Sequence, residues 1–115
     1  MKQLALVLIV ALALVACEKE PKTGDLLITV EYGGYVEENV EVWLFDSRYA
    51  FDNFEYLEKQ LSDENGEVFW GGLTPGKYYF EAEITKPVNF HLYAADSTDV
   101  FENTQKKKRL ILQKD

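Results

Sequence analysis

From Asp25 onward, apolar and polar positions alternate in short runs broken by turn residues. In LLITVEY (Leu26 to Tyr32), Leu26, Ile28 and Val30 share one side. In VEVWLFD (Val40 to Asp46), Val40, Val42 and Leu44 face one way and Glu41, Trp43 and Phe45 the other. EVFWGGL (Glu67 to Leu73) sets Val68 and Trp70 against Glu67 and Phe69, and KYYFEAEI (Lys77 to Ile84) sets Tyr78, Phe80, Ala82 and Ile84 against Tyr79, Glu81 and Glu83. Successive side chains of a strand point to opposite faces, so each run predicts a strand with one face in a core. Lys106 to Gln113 reads as a last strand whose basic start discourages edge-to-edge pairing. Asp63-Glu64-Asn65-Gly66 is expected to close a hairpin, with Asp at the first turn position and a Gly that tolerates positive φ, and Thr74-Pro75-Gly76 to close another. SRYAFDNFEYL (Ser47 to Leu57) is aromatic without a clean period and predicts at most one helical turn around Asp52 to Glu55. The whole is all-β: one antiparallel β-sandwich of about seven strands, spanning residues 25–115.

The first residues follow another pattern. Lys2 precedes an unbroken apolar stretch, Leu4 to Ala16, and charge returns directly after Cys17. A spanning helix needs roughly 20 apolar residues, so the run reads as a secretory signal peptide rather than a retained anchor. Leu14-Val15-Ala16-Cys17 resembles the lipobox of bacterial lipoproteins, in which a leucine, an aliphatic and a small residue precede an invariant cysteine. The resemblance implies cleavage after residue 16, acylation of Cys17, and attachment to the membrane through lipid, which at roughly 0.8 kcal/mol per buried CH₂ becomes effectively permanent with several chains. Residues 17–24, including EKEPKTG, then form a lipidated cysteine and a flexible tether.

Composition narrows the chemistry. Cys17 is the one cysteine among 115 residues, so no disulfide and no thiolate cluster can form. Cleavage before it would remove 16 of the 115 residues, Lys2 among them, and move the formal net charge from −8 to −9. Nucleic acids and anionic lipids are held by clustered Lys and Arg, and an acidic domain argues against both as partners. Seven Tyr, seven Phe and two Trp supply a core without disulfides.

Ser62-Asp63-Glu64-Asn65-Gly66, followed by Val68, Trp70, Gly72-Leu73, Pro75-Gly76 and Tyr78, resembles the transthyretin-like (prealbumin), or carboxypeptidase regulatory-like, β-sandwich, with collagen-binding B-type repeats as relatives. The shared pattern is a T/S-D-x-x-G turn, a strand with an aromatic, and L-x-P-G-x-Y opening the next strand; it covers Asp25 to Gln113. Asn89-Phe90 resembles an Asn-aromatic pair of small lipoproteins of this kind from Gram-negative bacteria, which implies outer-membrane placement. Departures from the family remove activities. Hydroxyisourate hydrolases need several histidines and a terminal Tyr-Arg-Gly-Ser, whereas this chain has His91 alone and ends Leu112-Gln113-Lys114-Asp115; an intradiol dioxygenase iron needs Tyr and His pairs. The pilin-type relatives cross-link a first-strand lysine to a last-strand asparagine, and Leu26 to Tyr32 has no lysine.

The remaining candidates read as structural. His91 near Asp96, Ser97 and Asp99 has the residue types of a triad without its elbow or oxyanion loop. Asp63, Asn65 and Glu67 alternate oxygens as a calcium loop does, in too short a loop. Glu81 and Glu83 share a strand face as a solvated pair, and Lys106 to Arg109 as a basic strand end. No catalytic residue, metal site or cofactor is expected. The function expected is a non-enzymatic, lipid-anchored envelope protein serving as an adhesion, scaffold or accessory binding module; the alternative is a glycan- or nutrient-binding lipoprotein beside an outer-membrane transporter. The candidate surface is Trp43, Phe45, Phe69 and Tyr79, which the pleat sends outward. Either these rings form an exposed patch for a glycan or a protein, or residues 49–57, with Phe51, Phe54 and Tyr56, fold back over Trp43 and Phe45.

Overall fold

The computed structural model describes residues 22–115; Cys17, the lipobox-like Leu14 to Cys17 and the apolar run expected to be a signal peptide lie outside the described residues. The strands are β1 (Gly24–Tyr32), β2 (Tyr35–Val36), β3 (Glu41–Phe45), β4 (Glu58–Leu61), β5 (Glu67–Leu73), β6 (Gly76–Lys86), β7 (Phe90–Val100), β8 (Gln105–Ile111) and β9 (Gln113–Lys114), with one short helix, α1 (Arg48–Asp52). They form two facing sheets. In the first, β1 lies between β8 and β5, with β2 on its far end; the second runs β4-β3-β6-β7-β9. The fold is the expected β-sandwich, and the inward sets are those of the alternation. Leu26, Ile28 and Val30 from β1 meet Val42, Leu44 and Phe80 from β3 and β6, all 0% exposed, in one core that also holds Trp70. Burying each such side chain contributes about 1.5–3 kcal/mol.

One expectation is corrected by strand direction. β8 pairs parallel to β1, from Asp25 opposite Gln105 to Glu31 opposite Ile111, so the sandwich is not wholly antiparallel. β7 ends beside the start of β1, where Asn103 N donates to Thr23 O and Asp25 N to Thr104 O. Gln105 is thereby set next to Asp25, and the chain can continue only along β1. A period of two is common to both pairings and carries no direction. Leu112, buried, donates its N–H to Glu31 O and steps the chain across to β9, which pairs with β7 in the other sheet.

The turn at Asp63–Gly66 forms and the chain bends at Pro75, but neither closes a hairpin. Gly66 takes φ +74, its N–H reaches Asp63 O, and the Asp63 carboxylate accepts from Asn65 N and Glu67 N. Yet the turn joins β4 of the second sheet to β5 of the first, and Thr74-Pro75 returns the chain to β6 in the second. A tight turn reverses the chain without choosing the strand's partner. The helix is also displaced: it spans Arg48–Asp52, not Asp52 to Glu55, because the Ser47 hydroxyl accepts from Ala50 N at 3.0 Å as an N-cap.

Besides the two-residue β2, two longer strands were hidden from the alternation. β4 is an edge with no buried residue, and β7 places Asp96 and Thr98 among the inward positions Leu92, Ala94 and Val100. Thr98 is buried, while Asp96 pairs with Lys108 of β8 at 3.2 Å. On the opposite side, the Gln60 side-chain amide donates to Phe69 O and accepts from Phe69 N, covering the free edge of β5 as a strand's backbone would.

Candidate functional site

The pleat sends Trp43 and Phe45 of β3 outward from the second sheet, with Tyr79 of β6 directly opposite Phe45. The structure does not leave them open. Trp43 is 8% exposed and Phe45 0%, while Tyr79 is half-buried. Phe69 lies on β5 in the other sheet, so the four rings flagged by the alternation do not share a surface. The exposed-patch expectation is thus corrected at Trp43 and Phe45, in favour of cover by residues 49–57.

That cover is a second, smaller core. Ala50 of α1 is buried on it, and Phe51 meets Phe45 at 5.4 Å and Tyr79 at 5.8 Å between ring centroids. Phe54 stands edge to face on Trp43 at 5.4 Å and on Phe45 at 5.8 Å, and Tyr56 stands edge to face on Phe54 at 5.6 Å. Such pairs contribute roughly 0.5–1.5 kcal/mol beyond area burial. Leu57 N then donates to Leu44 O at 2.8 Å and returns the chain to β3's neighbour. Phe54 reaches its place at φ +53, a left-handed conformation uncommon for a bulky residue and costing about 1–3 kcal/mol. The contacts with Trp43, Phe45 and Tyr56 hold it there.

The outer side of this cap presents apolar side chains to solvent. Tyr49 is 67% exposed, and Phe54, Tyr56 and Leu57 are each about half exposed. None of the four was read as a site from the sequence. The available signal was the aromatic density of Ser47 to Leu57 without a period: a short segment rich in rings that covers two buried ones must leave others outside. Beside Leu57, Asp46, Tyr78 and the turn Thr74 to Lys77 bound an open hollow of about 500 Å³. The Tyr78 hydroxyl donates to Thr74 O at 2.7 Å, and burial, then the Asp46 charge, raise its pKa. The Lys77 amine stands 5.6 Å from the Tyr79 ring centroid.

Further along the same outer face the carboxylates are engaged with neighbours. Glu41 and Glu83 sit directly opposite on β3 and β6, with Lys59 4.0 Å from Glu41. His91 bridges Glu83 through Nε2 at 3.1 Å and Asp115 through Nδ1 at 3.2 Å. The hydrogen bond to Glu83 foremost, with Asp115 adding, raises the His91 pKa. Glu81 accepts from the Tyr93 hydroxyl at 2.9 Å, and burial together with this carboxylate pushes the Tyr93 pKa up to about 12. Glu81 and Glu83 therefore position Tyr93 and His91 rather than flank a cleft as acid and base. His91 and Ser97 lie six residues apart on β7, roughly 20 Å along an extended strand, so no triad forms. Asp63 spends its carboxylate on its own turn, and among the described residues no group of three His, Cys, Asp or Glu stands close enough to hold a metal ion. In the basic run, Lys108 pairs with Asp96 and Arg109 with Glu31, leaving Lys106 and Lys107 on the exposed strand end.

No protein-family model matches the chain, and no curated protein matches it. Solved structures do resemble it. The major pilin subunit of Bacillus cereus aligns at TM-score 0.58 and 21% identity over 83% of this chain and 31% of the pilin. A minor pilin of Streptococcus agalactiae aligns at 0.59 and 13%, over 82% of this chain and 45% of that one. A proposed carbohydrate-binding protein of Pseudomonas aeruginosa aligns at 0.59 and 13%, over 81% of this chain and 90% of its own length. The chain thus spans less than half of either pilin. At these identities the likeness is one of fold: a β-sandwich of the kind that forms one module of pilin subunits and nearly the whole of the third protein.

Proposed function

We propose that this chain is a non-enzymatic binding module of the cell envelope, held to the outer membrane by lipid on Cys17 and kept off the bilayer by the tether before Gly24. The observation that carries the reading is the aromatic cap: Tyr49, Phe54, Tyr56 and Leu57 stand at the surface, with Phe54 seated on buried Trp43 and Phe45 and Tyr56 against Phe54. Exposed apolar clusters of this kind mark interaction sites, and a buried base fixes the rings in place before any ligand arrives. The engagement of Glu81, Glu83, His91 and Asp63 in structural bonds supports a non-catalytic role. Pilin subunits and a proposed carbohydrate-binding protein, as neighbours in fold, are in keeping with an adhesion or accessory binding task outside the cytoplasm. The pattern of turn and core residues fits a transthyretin-like sandwich.

Two measurements test the reading. Cys17→Ser is expected to abolish labelling by an alkyne fatty acid, and label persisting on the serine variant overturns the anchor. Lipid-free chain from Glu18 onward is expected to co-sediment with purified cell envelopes. Tyr49→Ala and Tyr56→Ala are expected to reduce that binding while both variants stay folded with a cooperative melt, Tyr56→Ala melting a few degrees lower for the loss of its contact with Phe54, and variants binding as wild type overturn the cap as the contact surface. Protease shaving of whole cells then reports which leaflet displays the domain.

A further inference from the structure

We propose that the aromatic cap is a stacking platform for a neutral glycan. The proposal rests on the binding-module reading above and names its ligand class. The rings of Phe54 and Tyr56 meet edge to face at 5.6 Å and remain 48% and 49% exposed, so they form a stepped apolar surface rather than a filled pocket. The C–H faces of pyranose rings carry a weak positive charge that is attracted to the negative face of an aromatic ring, by the same electrostatics that draws cations there. Sugar hydroxyls around such a stack need polar partners, and the adjoining hollow is bounded by residues that carry them: Asp46, Thr74, Lys77 and Tyr78 line it, with Leu57 and Pro75 as its apolar members.

Charge selects among ligands. Asp46, Asp52, Glu55 and Glu58 are exposed in and around the cap, and the nearest guanidinium, Arg48, is tied to Asp52 at 3.0 Å. An anionic glycan, a nucleic acid or an acidic peptide would meet these carboxylates without a matching cluster of cations. Size argues against a protein partner: a stable interface covers about 800 Å² on each side, whereas the apolar part of this surface comes from the short segment 49–57. Rigidity favours a weakly contacting ligand. Phe54 is held in a left-handed conformation by three ring contacts, so the platform is formed without the ligand and little ordering cost is left for binding.

Affinity electrophoresis of the full-length chain in non-ionic detergent, through gels containing hydroxyethyl cellulose, dextran or galactomannan, with polygalacturonate as the anionic control, decides the matter. At least one neutral polymer is expected to retard the wild type and polygalacturonate is not. Tyr56→Ala, which removes an exposed ring and leaves Trp43 and Phe45 covered by Phe51 and Phe54, is expected to weaken retardation about tenfold or more. Migration unaffected by all three neutral polymers, equal retardation by polygalacturonate, or a Tyr56→Ala chain retarded like wild type would each overturn the proposal. If envelope co-sedimentation is lost in Tyr56→Ala while no neutral polymer retards the wild type, the glycan falls and the binding module stands. If the variant still co-sediments as wild type does, both fall.

Discussion

The two outer faces of the sandwich received the same kind of sequence and ended differently. On the second sheet, Trp43, Phe45 and Tyr79 point away from the main core and are roofed by α1 and the residues after it. On the first, Phe69 points outward beside Leu27 and stays 46% exposed, with Lys107 flanking Leu27 on the other side and Glu67 and Arg109 flanking Thr29. The difference lies in the connections. Residues 46–57 separate β3 from β4, long enough for a helical turn and a return, whereas Gly33-Gly34 and Thr74-Pro75 are all that follow β1 and β5. Covering an outer face takes chain, and only one face was given any. An outward aromatic is therefore a surface residue or a core residue according to the length of a neighbouring loop.

The sharpest test of this contrast is truncation of the covered rings. Trp43→Ala or Phe45→Ala is expected to cost about 3–5 kcal/mol in urea unfolding, as for a buried aromatic. Iodide is expected to leave the fluorescence of both Trp43 and Trp70 nearly unquenched, since they are 8% and 2% exposed; strong quenching of Trp43 in a Trp70→Phe background would mean that the roof is open.

Next comes the turn that brings the chain into the open sheet, where Val30 N donates to Gly66 O. At Gly66 a Cβ would stand 2.7 Å from Val30 O and 2.9 Å from Val36 Cβ, in addition to the unfavourable φ of +74. Gly66→Val should destabilise by about 2 kcal/mol or more, combining left-handed strain with backbone displacement. A melt unchanged by this substitution would show that the turn is not fixed.

A smaller effect is expected at the far end of the covered sheet. His91 has a raised pKa in the fold, so its bridge to Glu83 and Asp115 contributes fully below its ordinary value of 6.5 and is lost as pH rises through the folded pKa. The stability difference between wild type and His91→Gln should therefore shrink as pH rises from about 6 to about 8, and NMR titration should place the His91 pKa above 6.5. A titration at or below that value would dissolve the bridge. Smallest of all, Phe69→Ala should change stability by no more than about 0.5–1 kcal/mol, since its ring lies half in water; a loss matching that of Trp43→Ala would erase the distinction between the faces.

Much of the fold could be read directly. Leu26, Ile28 and Val30, or Tyr78, Phe80 and Ala82, carry their orientation in a two-residue period that survives any tertiary arrangement, and Asp63 with Gly66 carries a turn in its own side chain and φ. β7 and β4 escaped notice because their inward and outward positions are not sorted by polarity. Asp96 occupies an inward position at an edge where it can reach Lys108, and β4 buries nothing, being held by pairing to β3 and by the contacts of Gln60. Of the candidate surface, the outward direction of Trp43, Phe45, Phe69 and Tyr79 was legible, but their exposure was not.

By itself, then, the sequence determined which residues line a strand's two sides, where the chain turns, that the chain is acidic, and that its one cysteine can form no disulfide within it. These follow from bonds and charges within a few residues of each other. The tertiary structure decided which sheet each strand joins, that β8 runs parallel to β1, and that Tyr49, Phe54, Tyr56 and Leu57 rather than Trp43 and Phe45 meet the solvent. Each of these depends on what a residue distant in the chain places against it, and an alternating pattern records only that a side chain points outward, not what waits there.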